Sequence, residues 1–356
     1  MAHLVAGALF SSMVLLTPSR STPQGAPPEP KGSRILAIQA NLGKDGDFDR
    51  TFKESQRAGS ETQVLPQDWK TLEVAPGVFD PEVNVLAIAN SYYPARKTPI
   101  HLSIRPVHTS QKVVPADLMD KPLDDPRTIE RFKKLLDWVS TQLRDVELTS
   151  LTIGSEVDIY IWGDPERWKA WIAFYAAIAP YAKERFPGTL ISCETTYASF
   201  SGEALKHVQE LHRYSDAIGI SYYPMKKALS AVESPEIVHT DFARVVASIP
   251  EKPIIFYQIG YPSSQDLGSS PRLQAEFIEA VFAAWDEYPD RILMLNFQWM
   301  HETPGFGLDQ YARYYSYDTP EFRAFLGSLG MRSWSGEPKP AWRVLTEAAK
   351  VRGFGG

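Results

Sequence analysis

The residues of this chain that could do chemistry gather just behind short apolar runs. Glu156 and Asp158 stand in Ile153-Gly154-Ser155-Glu156-Val157-Asp158, and Glu194 closes the run at 190–194. Gln258 lies in Ile255-Phe256-Tyr257-Gln258-Ile259-Gly260-Tyr261-Pro262-Ser263-Ser264. Arg105 and His108 follow the run at 100–105, and Tyr222 and Tyr223 follow that at 217–221. Trp299 and Glu302 come directly after Phe297-Gln298. Carboxyl groups can pass protons to and from a reacting oxygen, and flat aromatic faces suit the apolar faces of sugar rings. With 9 Trp and 16 Tyr the chain is well supplied with such faces, although large cores use them too.

A scaffold has to bring these scattered groups together. β-rich runs at 35–41, 62–65, 100–105, 150–154, 190–194, 217–221, 254–258 and 292–297 alternate with helical patterns, the clearest at 128–143, 165–186, 202–211, 271–288 and 321–329. Phe132, Leu135, Leu136 and Val139 repeat with the helical period of one buried face. Eight strands alternating with helices, without a linker between halves, predict an α/β fold: a single (β/α)8 TIM barrel over residues 34–356. The rival is a doubly wound sheet, which the absence of G-x-G-x-x-G and of a phosphate loop disfavours. In a barrel the C-terminal strand ends build the active site, and these are the positions where the polar residues stand.

Five motifs in order, Asp68-Trp69-Lys70-Thr71-Leu72-Glu73-Val74-Ala75-Pro76-Gly77-Val78-Phe79-Asp80, Gly154-Ser155-Glu156, Tyr222-Tyr223-Pro224, Gln258-Ile259-Gly260-Tyr261-Pro262-Ser263 and Lys339-Pro340-Ala341-Trp342, carry a family resemblance across about residues 35–345. The chain resembles clan A of the retaining glycoside hydrolases, which keep an acid/base on strand four and a nucleophile on strand seven. Its patterns W-x-x-(L/I)-E-x-x-P-G-x-(Y/F)-D, G-N-E, E-(I/V/T)-G-(Y/W)-P-S and K-P-A-W are similar to four of these segments. The resemblance implies Glu156 as acid/base and Gln258 at the nucleophile position. Such enzymes hold two carboxyl groups about 5 to 5.5 Å apart, one protonating the leaving oxygen and one attacking the anomeric carbon.

Two departures matter. A neutral amide such as Gln258 is a very poor nucleophile, yet it has almost the shape of a carboxylate and can keep sugar affinity while turnover is lost. The chain is then a non-catalytic glycan binder, or it recruits another carboxylate, with Glu194 and Glu302 nearest by topology, or it carries a deliberate inactivating change. Ser155 replaces the asparagine that would bond a sugar 2-hydroxyl, so substrates that lack this hydroxyl or present it differently gain weight. The resemblance further implies Trp299 as a platform under the sugar, the alternative being core packing against Trp342. Tyr222, Tyr223, Tyr261, Arg105, His108 and Trp69 complete the candidate binding set.

Other chemistries are poorly served. Asp45-Gly46-Asp47-Phe48-Asp49 imitates an EF-hand, but Arg50 replaces the glycine and Gln56 the last glutamate, so helix N-capping is the better reading and no metal is expected. There is no H-E-x-x-H and no G-x-S-x-G, and no cofactor is expected. A net charge of −6 without a long basic run argues against a nucleic-acid partner. The expected partner is an oligo- or polysaccharide, most simply β-linked. Cys193 is the only cysteine and reads as a buried thiol. Residues 1–18, with an apolar stretch at 4–16 too short to span a bilayer, resemble a secretory signal, and the Pro-rich 19–33 reads as a disordered linker. A secreted or periplasmic protein with no membrane span is therefore expected. The readings in contention are a glycoside hydrolase-like protein, a glycan-binding pseudoenzyme and a barrel of unrelated chemistry.

Overall fold

The computed structural model describes residues 27–355. The expected signal segment and residues 19–26 of the expected linker lie outside the described residues. Residues 29–33 are tied to the barrel: Lys31 N–H donates to the Arg352 carbonyl, and the Glu29 and Pro30 carbonyls accept from the buried Arg34 guanidinium. A segment so anchored has partners for its backbone, and the linker reading does not hold there.

The strands are β1 (Ile35–Ile38), β2 (Gln63–Asp68), β3 (Ile100–His108), β4 (Leu148–Ser155), β5 in two halves (Leu190–Ser192 and Glu194–Thr196), β6 (Ile218–Tyr222), β7 (Ile254–Ile259) and β8 (Ile292–Phe297). All pair in parallel, in the order β2-β3-β4-β5 and β5-β6-β7-β8-β1. The two sheets share β5, whose first half pairs with β4 and whose second half pairs with β6. A parallel bridge from Ala37 to Thr62 joins β1 to β2, so the strands run round as a (β/α)8 barrel. Helices such as Pro126–Gln142, Pro165–Arg185 and Pro271–Glu287 cover the outside and start with proline after an Asp or Ser whose side chain accepts from a first-turn N–H.

Most of the core lies between strands and helices. Ile254, Phe256 and Ile259 of β7 belong to it, while Ile255 and Tyr257 join a smaller cluster with Ala37, Val64 and Met294. The pairing of β6 with β7 runs Ile220 to Phe256 and then Ser221 to Gln258, which leaves Tyr257 as an extra residue. This bulge turns consecutive residues inward: Tyr257 below, on Ser150 and Ser192, and Gln258 above it at the mouth. No helix among the described residues is long and apolar enough to cross a membrane.

Candidate active site

At the C-terminal mouth a cavity of about 1260 Å³ opens among the strand ends, from Gln39 after β1 and Pro66 of β2 round to Gln298 after β8. Glu156 reaches it from a sharp turn. Gly154 has φ 81° at the end of β4, and a Cβ there would meet Val157 at 2.6 Å and Trp171 at 2.7 Å. Glu156 itself is left-handed, with φ 49° and ψ 45°, a conformation that costs a non-glycine residue about 1 kcal/mol. Strain of this kind persists where neighbours hold the residue in place. The neighbours here are Thr109, whose Oγ1 donates to Glu156 Oε2 at 2.8 Å, and Ser221, whose Oγ donates to Oε1 at 2.6 Å. Burial raises the Glu156 pKa, and the two hydroxyl donors oppose the rise.

Gln258 stands beside this group, since its Cα partner on β6 is Ser221. Its Oε1 accepts from Tyr223 Oη at 3.0 Å, and its Nε2 donates to Glu194 Oε1 at 3.0 Å and to Ser155 Oγ at 3.3 Å. Both ends of the amide are thus bonded. Glu194 is 2% exposed, and burial followed by the Glu156 charge pushes its carboxyl up to about 8. Asp158 is raised to about 7, first by burial, and accepts from the Thr196 N–H at 2.8 Å and from Thr196 Oγ1.

Arg105 and His108 line the cavity, and other side chains hold both of them there. Arg105 Nη2 lies 2.7 Å from Asp68 Oδ1, and its Nη1 donates to His108 Nε2 at 3.2 Å. Tyr314 Oη donates to Asp68 Oδ2 at 3.1 Å, so His108 Nδ1–H donates to that same Oη at 2.6 Å. Burial and the Arg105 charge keep the imidazole neutral, as this chain of donors requires. Trp299 is half-buried at the cavity wall and stacks on Tyr311, with ring centroids 5.7 Å apart; its stacking partner is not Trp342.

Four of the candidate residues stand elsewhere. Trp69 is fully buried and donates from its indole N–H to Glu73 Oε2 at 2.7 Å. Glu73 also accepts from the Gly77 N–H and pairs with Arg131, so the W-x-x-L-E-x-x-P-G motif builds a loop under the helices. Tyr222 points outward, where its hydroxyl donates to Asp241 Oδ2 at 2.9 Å. Tyr261 is buried against Phe277 and donates to the Glu233 carbonyl. Strand alternation explains Tyr222, because its neighbours Ser221 and Tyr223 take the cleft side. Glu302 pairs with Lys339 at 2.9 Å and does not line the cavity. The lining also holds residues not anticipated: Thr109, Ser221, and Tyr311 and Tyr315 of the helix Gly305–Tyr315. The spacing of Tyr311 and Tyr315, one turn apart behind β8, was the available sign of the last two.

No family model matches the sequence, and no curated protein matches it. Solved structures do resemble it in fold. A GH5_18 variant from Bifidobacterium longum subsp. longum in complex with Manβ1-4GlcNAc superposes with a TM-score of 0.69 at 13% identity, over 89% of this chain and 78% of the other. A Streptomyces cattleya GH5_18 variant with the same disaccharide gives 0.67 at 15% identity, over 89% and 80%. The exo-β-1,4-mannosidase of Opitutaceae bacterium strain TAV5 gives 0.67 at 16% identity, over 90% and 59%. What the chain shares with these structures is the TIM-barrel fold.

Proposed function

We propose that this protein is a glycoside hydrolase-like barrel that takes a β-linked oligosaccharide into the cleft, with Glu156 as proton donor and Gln258 in the nucleophile's place. One observation carries the reading. Ser221 donates to Glu156 from the position on β6 that pairs in the ladder with Gln258. Both side chains line the same cavity, so acid and amide face one shared space. Trp299 and Tyr311 supply the aromatic wall for the ring, and Arg105 supplies a fixed polar donor. By this reading the chain offers a proton donor but no nucleophile of its own. We also place its action outside the cytoplasm, on the apolar stretch at 4–16.

A second reading, a glycan binder without turnover, is favoured by Glu194, which lines the cavity beside Gln258 but is almost wholly buried, with its carboxyl raised by that burial toward the neutral form. Calorimetric titration with β-1,4-manno- and β-gluco-oligosaccharides tests what the two readings share. Binding that is weakened about tenfold in Trp299→Ala is expected; a wild type that takes up no saccharide would sink both.

A further inference from the structure

We infer that the ligand of this cleft is amphipathic: a β-glycoside whose apolar aglycone lies on a pair of helices inserted after β8. The inference rests on the glycoside hydrolase-like reading above and names the substrate class it takes.

The pair, Gly305–Tyr315 and Pro320–Ser328, stands between β8 and the helix Pro340–Arg352, which packs on Pro271–Glu287 at the outside of the barrel. The inserted pair instead walls the mouth. Phe322, Phe325 and Leu326 of its second helix line the cavity, and Met225 and Leu229 from the loop after β6 line it with them. None of these five side chains has a hydrogen-bond donor, and the Met225 sulfur is only a weak acceptor, so this wall offers a sugar hydroxyl almost nothing. The segment after β5 walls the cavity differently, with Glu203, Lys206 and His207. One side of the space thus suits a saccharide and the other an apolar group.

The apolar wall starts beside both key positions. Tyr223, whose hydroxyl donates to Gln258, meets Phe325 edge-on with ring centroids 5.3 Å apart. Tyr315 meets Phe322 at 5.9 Å, and its hydroxyl bonds Nε2 of His108 at 3.2 Å; the next residue, Thr109, donates to Glu156. A group carried on the oxygen that Glu156 protonates therefore has an apolar surface within reach. The wall is also fixed. Ser328 Oγ, at the end of the second helix, accepts from the Ser263 and Ser264 N–H groups at 3.1 Å, and the Leu329 carbonyl accepts from Gln274 Nε2 at 2.9 Å. A preorganised surface loses little freedom when a ligand covers it. The cavity of about 1260 Å³ has room for sugar and aglycone together, since ordinary small-molecule sites reach roughly 1,000 Å³. Covering this wall with an apolar group takes both surfaces out of water, a gain that a second sugar ring, with its hydroxyls, does not match.

The test is calorimetric titration of the whole chain with methyl, butyl, hexyl and octyl β-glucosides and β-mannosides, below their micelle concentrations, beside octanol and β-1,4-linked disaccharides. Affinity should rise about twofold per added methylene, or about a hundredfold from methyl to octyl, with a heat-capacity change that grows more negative along the series. Octanol alone should bind far more weakly than the octyl glycosides. This series needs no variant. The double substitution Met225→Gln, Leu229→Gln, at half-buried positions, should cut the octyl-to-methyl affinity ratio about tenfold. Affinity indifferent to chain length, octanol binding as tightly as the octyl glycosides, or a ratio unmoved by the double substitution would overturn the inference. If the disaccharides bind in that case, the glycoside hydrolase-like reading survives; if no saccharide binds, both fall.

Discussion

The amide nitrogen of Gln258 donates to Glu194 Oε1 at 3.0 Å, so a buried carboxyl of the cleft has a neutral partner where a cation would be needed to keep it ionised. Burial and the Glu156 charge raise that carboxyl to about 8, against 4.5 for a free glutamate. The folded protein therefore holds the Glu194 proton more tightly than the unfolded chain does. The resulting stability is complete below about pH 4.5 and is lost as pH rises through about 8. Asp158, raised to about 7, acts with the same sign. Glu194→Gln should flatten the fall in urea midpoint between pH 5 and 8 and leave the variant more stable than the wild type at pH 8. Parallel curves for the two proteins would contradict this.

Ser221 and Thr109 each donate to the Glu156 carboxylate, and both bonds favour its charged form. Ser221→Ala removes one of them and should raise the pKa of the acid. In a hydrolytically active background the alkaline limb of the pH–rate profile, where the acid loses its proton, should move to higher pH. A limb that stays in place would show that another group sets it.

Trp162 lies at the outer wall of the cavity with 82% of its surface exposed, on a backbone turn with φ 34°. So large an exposed aromatic suits a sugar residue remote from Glu156. Trp162→Ala should weaken binding of tetra- and pentasaccharides about tenfold and leave disaccharides unchanged. An equal loss for both lengths, measured by calorimetry, would place the indole elsewhere along the ligand.

The loop built by Trp69 and Glu73 is structural by the same criteria. Glu73 accepts from the indole, from Gly77 and from Arg131 while almost wholly buried. Glu73→Ala leaves those donors unpaired and should cost about 3 kcal/mol in chemical denaturation. Sugar affinity at saturating fold should not change; a selective loss of affinity would return Trp69 to the cleft.

How much of this was legible in the sequence depends on the range of the forces involved. The barrel was readable because alternation of β-rich and helical runs is a local property, and each of the eight expected strands overlaps an observed one. The neighbourhood of Glu156, Ser155, Tyr223 and Gln258 followed from strand ends. What escaped was set across strands. Nothing local marks the break of β5 at Cys193, whose carbonyl bonds Gly219 of β6. The bulge at Tyr257 depends on the register of β6 with β7, and without it the outward course of Tyr222 beside an inward Gln258 could not be read. Thr109 reaches Glu156 from the end of another strand, a pairing no spacing announces. The motif with Trp69 was visible, but a pattern in sequence does not distinguish a residue that holds a loop from one that meets a ligand.

Gln258→Glu is the most direct test of the account. The change places a carboxylate at nearly constant volume at the ladder position that pairs with Ser221, in the cavity that Glu156 also lines, with Tyr223 already placed to donate to it. The measurement is hydrolysis of aryl β-glucosides and β-mannosides, which carry a free 2-hydroxyl, by wild type and variant side by side. A gain of about a thousandfold or more over a wild type at background is the predicted result, since nucleophilic catalysis is worth several orders of magnitude. Equal and easily measured rates in both proteins would contradict it, because the protein would then already own its nucleophile, and Gln258 would not stand in that place.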